Sequence, residues 1–241
     1  DDEIDFDPTT PAKIRLVTKQ PTYSISILGS GRVVNWVSKS RFEKKQIKGF
    51  SAMEALTSTM YSYFRDGFDF MMFSFNRDYS PEEIDYAGRF FDVEQDVKGI
   101  GGTSFRRNGA FGSQGKLTGA MEFVKRDALR HIGLHEVMHN WGNDAEKSSL
   151  PIVDDINDGH WGYRNIGGQL GGWLPGSLET LENGLYRAKN PNPERGYGQW
   201  SGEANHYVPY SQFELYLMGM IPSSEIGYDI KRAIDFCSTM F

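Results

Sequence analysis

The sequence predicts a mixed α+β fold, because strand-like and helix-like patterns follow one another in its first half. Residues 13–18 and 22–28 alternate apolar and polar side chains and predict two strands. Residues 50–64 carry apolar side chains at helical spacing and predict a helix that Gly67 stops. The almost continuous apolar run 68–75 predicts a buried central strand. Together these elements indicate a twisted sheet with helices packed against it.

A second strand and helix follow a glycine-rich stretch. Residues 116–124 predict a strand, and residues 127–141 predict a helix that ends at Gly142. From 143 to 200 the chain has little periodicity and many Gly, Asn and Pro residues, which indicates long structured loops. Loops of that length inside a folded domain are usually functional.

The domain organisation follows from the chain length and from these patterns. A chain of 241 residues is long enough for one large domain or for two small lobes around a shared cleft. We expect a single domain over residues 1–241, with an upper lobe at about 10–142 and a loop-rich lower lobe at about 143–241. The chain stops at Phe241 directly after an apolar stretch, which is compatible with C-terminal truncation.

Charge and hydropathy exclude several classes of protein. The net charge is −6, from 26 basic and 32 acidic residues, and no basic stripe is present, which argues against a nucleic-acid partner. No apolar run approaches the roughly 18 residues of a transmembrane helix. The single cysteine, Cys237, excludes an internal disulfide and a paired-cysteine metal site. One cysteine fits either a cytosolic or a bacterial secreted protein, and of the two we expect a secreted or extracellular one.

The chemistry of the chain is concentrated in the run His135-Glu136-Val137-Met138-His139, within the helix predicted at 127–141. Residues four apart lie one turn apart on the same face of a helix, so His135 and His139 can direct two imidazoles at one ion. Glu136 lies about 100° around the helix from His135, where its carboxylate can hold a water molecule without binding the ion. This arrangement is typical of a metal-dependent hydrolase.

The same run resembles the active-site helix of the zincin metallopeptidases, which carries the HExxH pattern. The resemblance implies a zincin-like fold, in which an edge strand precedes this helix and pairs with an extended peptide substrate; here that strand is 116–124. Gly142 also matches the metzincin pattern HExxHxxGxxH, but the position of the third metzincin histidine is Ala145. The site is therefore expected to be metzincin-like with a different third ligand.

The third zinc ligand has several candidates, since catalytic zinc takes three protein ligands and keeps one position open. His160 lies in a glycine-flanked loop and follows His139 by 21 residues, which leaves enough chain to return beneath the helix. His206 is farther along the chain. A carboxylate would make the site resemble the gluzincins, and the candidates are Glu179, Glu182 and Glu214. We expect His160, and the other candidates stay open.

The resemblance implies a zinc-dependent endopeptidase with one catalytic Zn²⁺ ion and a protein or peptide substrate. A zinc-activated water would attack the peptide bond, with Glu136 as the general base. Leu117 and Gly119 on the predicted edge strand, and Tyr216 beside the oxyanion, are expected to contact the substrate. Tyr163 and Tyr210 are equally placed by the sequence for the tyrosine role.

Other interpretations remain open. A zincin-fold module could bind protein or glycan with little or no catalysis, through aromatic loops that carry Trp141, Trp161, Trp173 and Trp200. The acidic loop 154–158 is suited to Ca²⁺, but it lacks the spacing of a calcium-binding loop, so a solvated loop is favoured. Met218-Gly219 is a candidate for the methionine turn of a metzincin; the end of a core helix is slightly favoured, and both hold if that helix packs below the site.

Overall fold

The structure is a computed structural model. It describes residues 15–16, 23–28, 33–38, 49–62, 64–74, 86–96, 104–123, 128–143, 160–161, 164–188 and 208–230. Several predictions lie outside the described residues: those on His206, Tyr163, Trp200, Cys237 and the acidic loop 154–158. The mixed α+β class predicted from the sequence is confirmed.

Three α-helices lie in the described part of the chain: α1 (Phe50–Tyr61), α2 (Ala128–Gly142) and α3 (Gln212–Leu217). The first two confirm the predicted helices at 50–64 and 127–141. Short 3-10 helices occur at Asn108–Phe111, Glu182–Gly184 and Ser223–Glu225. Within the same described ranges, no helix has both the length and the apolar character needed to cross a membrane.

The strands of the described segments form small sheets. Their bounds are β1 (Arg15–Leu16), β2 (Tyr23–Leu28), β3 (Val33–Ser38), β4 (Phe70–Ser74), β5 (Gly88–Asp92), β6 (Glu94–Gln95), β7 (Phe105–Arg106), β8 (Gly119–Phe123), β9 (Leu178–Thr180) and β10 (Tyr186–Ala188). Strands β1, β2 and β3 form an antiparallel sheet, and β6 with β7 and β9 with β10 form antiparallel pairs. The remaining three strands, β4, β5 and β8, form the sheet against which the helix with His135 and His139 packs.

This sheet has the order β4-β8-β5. Strand β8 pairs in parallel with β4, where Met72 lies opposite Met121, and antiparallel with β5, where Phe90 lies opposite Met121. All five residues of β8 are buried. Residues opposite one another on neighbouring strands share a face, so these three side chains lie on the same side of the sheet.

Two strands of this described sheet have positions that differ from the sequence prediction. The strand predicted at 116–124 as an edge strand is β8, which is central, because β4 and β5 occupy both of its hydrogen-bonding sides. The strand predicted at 68–75 as central is β4, which lies at an edge of the described sheet, and its Met72 is exposed. An apolar run reports burial of side chains, and it does not report which strands lie on either side.

Contacts divide the chain into two compact units. One contains Asp1–Asp69 and Arg107–Leu117; within it, α1 packs against the 3-10 helix at Asn108–Phe111, and Phe50 meets Phe111 edge to face at 6.3 Å. The other contains Phe70–Arg106 and Thr118–Phe241. The sheet β4-β8-β5 and helices α2 and α3 belong to this second unit. The predicted lobes at about 10–142 and 143–241 stay a prediction.

Two apolar clusters hold α2 within the second unit. The first joins it to the sheet and consists of Phe90, Met121, Phe123 and Ile132. The second joins it to the loop that follows His160 and to α3, and consists of Met138, Trp161, Ile166, Leu170, Phe213 and Leu217. Burial of each aliphatic or aromatic side chain of this size contributes about 1.5–3 kcal/mol. Helix α2 is therefore fixed on two sides, one against the sheet and one against the loop.

Candidate metal centre

Three imidazoles converge beside helix α2. The Nε2 atom of His135 lies 3.2 Å from Nε2 of His139 and 3.1 Å from Nε2 of His160. These three residues form a group whose ligand atoms lie within 4.8 Å of one another and could hold a metal ion. The structure thus brings His160 to the two helix histidines, as the sequence predicts. That His160 binds a metal ion stays a prediction.

Helix geometry and one loop bring the three rings together. His135 and His139 lie one turn apart on α2, and their rings meet edge to face with centroids 4.9 Å apart. The ring of His160 stacks on that of His135 at 5.0 Å and meets His139 edge to face at 4.8 Å. The buried side chain of Trp161, next in the chain, anchors this loop in the second apolar cluster.

The other ring nitrogens of the helix histidines are held by oxygen atoms. Nδ1 of His135 lies 2.5 Å from the carbonyl oxygen of Gln169. A carbonyl only accepts hydrogen bonds, so Nδ1 of His135 carries the proton and donates it. The lone pair of this ring is then on Nε2, which faces the other two rings. Metal-binding histidines are commonly held in this way, and the donor set therefore fits a metal ion.

A second support holds His139. Its Nδ1 lies 2.6 Å from Oδ1 of Asn143, and Nδ2 of Asn143 donates to both carboxylate oxygens of Asp92 at 3.2 Å. Burial lowers the pKa of His139 well below its usual value, and the neighbouring rings of His135 and His160 act in the same direction. His139 is thus neutral at physiological pH, as a metal ligand must be.

Glu136 lies next to the first helix histidine and is only 4% exposed. Burial, with the nearby carboxylate of Glu122 as a second cause, raises the pKa of Glu136 to about 8, while the Arg89 guanidinium acts in the opposite direction. Among the described residues, the group that could hold a metal consists of histidines alone, and Glu136 is not part of it. That Glu136 holds a water molecule without binding the ion stays a prediction.

Strand β5 makes room for Glu136 through Gly88. A Cβ atom placed on Gly88 would lie 2.8 Å from Oε1 of Glu136 and 2.5 Å from Cδ1 of Ile132. Both distances are shorter than real contacts, so the missing side chain is a requirement of the site. Sequence reasoning missed this residue, because nothing near Gly88 in the chain indicates that a helix residue 48 positions later lies against it.

Gly119 and Leu117 do not present the surface predicted for them. Leu117 is fully buried, and Gly119 is a buried residue of the central strand β8. A Cβ atom on Gly119 would collide with the ring of Phe90, and that ring stacks near His139 at 6.4 Å. Gly119 therefore creates space for the ring of Phe90 beside His139. The structure offers no surface on either residue for a substrate.

The carboxylates considered as third ligands lie elsewhere. Glu179 and Glu182 are exposed, and neither belongs to the group of described residues that could hold a metal ion. Glu214 is fully buried and accepts hydrogen bonds from Trp161, Gln169, Leu170 and Ser211. Burial raises the pKa of Glu214, and these four N–H donors act against that shift.

The tyrosine and methionine candidates have other partners. Tyr216 is 37% exposed and packs against Phe213, and its predicted contact with substrate stays a prediction. The Tyr210 hydroxyl donates to the carbonyl oxygen of Leu134 at 2.9 Å, and burial raises its pKa to about 12. Met218 ends α3 and packs against the second apolar cluster, with Gly219 following at φ 74°. The favoured interpretation of Met218-Gly219 as a helix end is thus confirmed.

The supporting residues Gln169, Asn143 and Asp92 were not singled out from the sequence. The sequence could have indicated Asn143 as a partner of His139, since it lies four residues later and so on the same helix face. The sequence indicates Gln169 more weakly, through nearby glycines that permit tight turns. Gly167 and Gly171 have φ values of 60° and 87°. Nothing in the sequence indicates Asp92, because its contact with Asn143 depends on how the sheet and helix α2 pack.

Comparison of the chain with protein-family models, curated proteins and solved structures gave no match.

Proposed function

We propose that this protein is a zinc-dependent metallopeptidase of the zincin type, with His135, His139 and His160 as metal ligands. The observation that carries the proposal is the convergence of three Nε2 atoms beside a buried glutamate that is adjacent to the first of them. Three neutral imidazoles suit Zn²⁺, and a site with three protein ligands leaves a coordination position open, as catalytic zinc sites do.

The ion would supply a Lewis acid that acidifies a water molecule and polarises the scissile carbonyl. Glu136 takes a proton from that water on a carboxylate oxygen and then delivers it to the departing amine. Glu136 follows the ligand His135 directly in the chain and is 4% exposed, so its carboxylate is shielded from bulk water. Gln169 and Asn143 keep the ring nitrogens of His135 and His139 oriented.

The substrate would lie along β5, since β8 is central in its sheet. Strand β5 is at an edge of the described sheet, packs against α2, and contributes the Gly88 that contacts Glu136. An extended peptide that adds to this strand would bring its backbone towards the carboxylate. A peptide-bond hydrolase therefore remains the reaction class that fits best, and secretion remains a prediction.

The alternative is a module that binds protein or glycan through aromatic loops with Trp141, Trp161, Trp173 and Trp200; Trp141 is partly buried, and Trp200 lies outside the described residues. Trp161 is fully buried and Trp173 is 2% exposed, so neither offers a binding surface. The acidic loop 154–158, for which a solvated loop is favoured over a calcium site, lies outside the described residues.

The test combines metal analysis with a peptide-library assay. We expect about one zinc ion per chain and cleavage of some peptides. The double variant His135→Ala/His139→Ala should contain no zinc. Glu136→Gln should keep its zinc and lose at least ~10²-fold in turnover, since it removes only the general base. Full zinc occupancy in the double variant, or near-normal turnover by Glu136→Gln, would contradict the proposal. Stoichiometric zinc without cleavage of any peptide would favour a binding protein.

A further inference from the structure

Glu214 has more hydrogen-bond partners than its place at the start of a helix requires. Its Oε1 accepts from Trp161 Nε1 at 2.8 Å and from the Leu170 backbone N–H at 2.9 Å. Its Oε2 accepts from the backbone N–H groups of Gln169 and Ser211, both at 2.9 Å. The side chain is fully buried. Each carboxylate oxygen therefore holds at least one N–H group of the segment 161–170.

Helix capping accounts for only one of these bonds. Ser211 is the N-cap of α3, its hydroxyl accepts from the Glu214 backbone N–H at 3.2 Å, and its own N–H binds the Glu214 carboxylate. This reciprocal pair is a capping box, which needs one oxygen of the glutamate. The three bonds to Trp161, Gln169 and Leu170 are additional, and a buried carboxylate is stable only when such donors surround it.

The segment held by Glu214 carries two parts of the metal centre. His160 immediately precedes Trp161, whose indole N–H binds Oε1. Gln169, whose N–H binds Oε2, directs its carbonyl oxygen at Nδ1 of His135. The fit is close, since a Cβ atom on Gly168 would overlap the Glu214 carboxylate. The Glu214 carboxylate thus binds the residue next to His160 and also binds Gln169, which orients His135.

We propose that Glu214 is a positioning residue of the metal centre, whose carboxylate holds the loop so that His160 and the Gln169 carbonyl reach their places beside helix α2. The inference rests on the proposed function only in taking a metal ion as the ligand of the three histidines. Peptide hydrolysis is not needed for it. The sequence offers Glu214 as a possible third ligand. In this proposal its carboxylate supports the ligands and does not contact the ion.

Glu214→Gln tests the role, because glutamine retains one oxygen and can still complete the capping box. Its amide NH₂ group must face one of the two pairs of N–H donors, so at least one bond to the loop is lost in either orientation. Loss of such an outer support weakens metal binding by about 10- to 100-fold. We expect a fall of that size in Zn²⁺ affinity, measured by competition with a chromophoric chelator.

A spectroscopic readout separates positioning from general destabilisation. With Co²⁺ in place of Zn²⁺, the visible absorption of the Glu214→Gln protein should weaken and shift, because a displaced His160 is replaced by water. Ser211→Ala is the matched control: it removes the side-chain half of the capping box and leaves the three loop bonds in place. It should lower Tm while its zinc affinity stays within about twofold of wild type and its Co²⁺ spectrum is unchanged.

Wild-type affinity and an unchanged Co²⁺ spectrum in Glu214→Gln would overturn the proposal. If that variant does not fold, Gly168→Ala is used instead, because its methyl group would push the loop away from the Glu214 carboxylate. A weaker zinc affinity with an altered Co²⁺ spectrum would support the proposal. Wild-type values of both would overturn it. If the wild-type protein binds neither metal ion, the proposed function fails together with this inference. If it binds metal but cleaves no peptide, only the proposed function fails.

Discussion

The amide of Asn143 lies between His139 and Asp92, with Oδ1 directed at the imidazole and Nδ2 at the carboxylate. An ionised carboxylate only accepts hydrogen bonds, so Asp92 fixes which end of the amide faces it. The oxygen is left for Nδ1 of His139, which must then carry the proton. A strand residue therefore determines the tautomer of a helix histidine through one intervening side chain.

In Asp92→Asn the orientation of the Asn143 amide should no longer be fixed, since an asparagine at 92 can pair with either orientation of that amide. His139 would then populate both tautomers in the metal-free protein, and zinc affinity would fall by about 10-fold. The tautomer is measured from the ¹⁵N shifts of the histidine ring, and the affinity by chelator competition. Asp96→Asn, at an exposed position, is the control and should change neither. A single unchanged tautomer in Asp92→Asn would refute this role for Asp92.

Gly88→Ala is expected to displace Glu136 without removing the metal. The atoms that the new methyl group would meet are side-chain atoms of Glu136 and Ile132, which can move while the strand stays in place. Because small errors in the position of a catalytic group cost about 10²-fold, we expect turnover to fall by that order. Zinc affinity should stay within about twofold, since neither contact involves a histidine.

The control for this substitution is Gly109→Ala, because a Cβ atom there would meet nothing within 4 Å. It should retain wild-type turnover. The comparison needs kcat and zinc content for both variants. Equal activity of the two would show that Glu136 does not depend on the space left by Gly88.

His160→Ala should weaken zinc binding sharply, whereas His206→Ala should leave it near the wild-type value. The reason is the position of the His160 ring, whose Nε2 lies 3.1 Å from that of His135. Zinc titration of the two variants decides between them. The opposite pattern would assign the third ligand to His206, and zinc retained by both would point to a carboxylate.

Zinc should also stabilise the fold, because its ligands come from a helix and from a separate loop. A ligand at 100 times its Kd adds about 2.7 kcal/mol to the free energy of unfolding. For a chain of this size that corresponds to a rise in Tm of roughly 5–10 °C over the chelator-treated protein. Calorimetry with and without zinc measures it, and His135→Ala/His139→Ala should show no rise. Identical Tm values for the wild-type protein in both conditions would contradict a site that spans these elements.

What could be predicted from the sequence was mostly local. The spacing of His135 and His139 fixes their common face as soon as the segment is helical, and the structure has that helix. His160 was found among five histidines because flanking glycines and a sufficient return length favoured it. The sheet order was not predictable, since β8 pairs with strands that lie far before it in the chain. The role of Glu214 was hidden for the same reason, because its three donors in the loop, Trp161, Gln169 and Leu170, lie more than forty residues away.

The order β4-β8-β5 has a consequence for how the chain folds. The middle strand is the last of the three to be synthesised, so β4 and β5 cannot complete the sheet until residues 119–123 enter between them. Pairing between strands distant in the chain is slow, because loops must close before the contacts form. Helix α2 packs on this sheet and begins only five residues after β8 ends. We therefore expect the insertion of β8 to precede the packing of α2 on the sheet, and the three histidines to come together only after it.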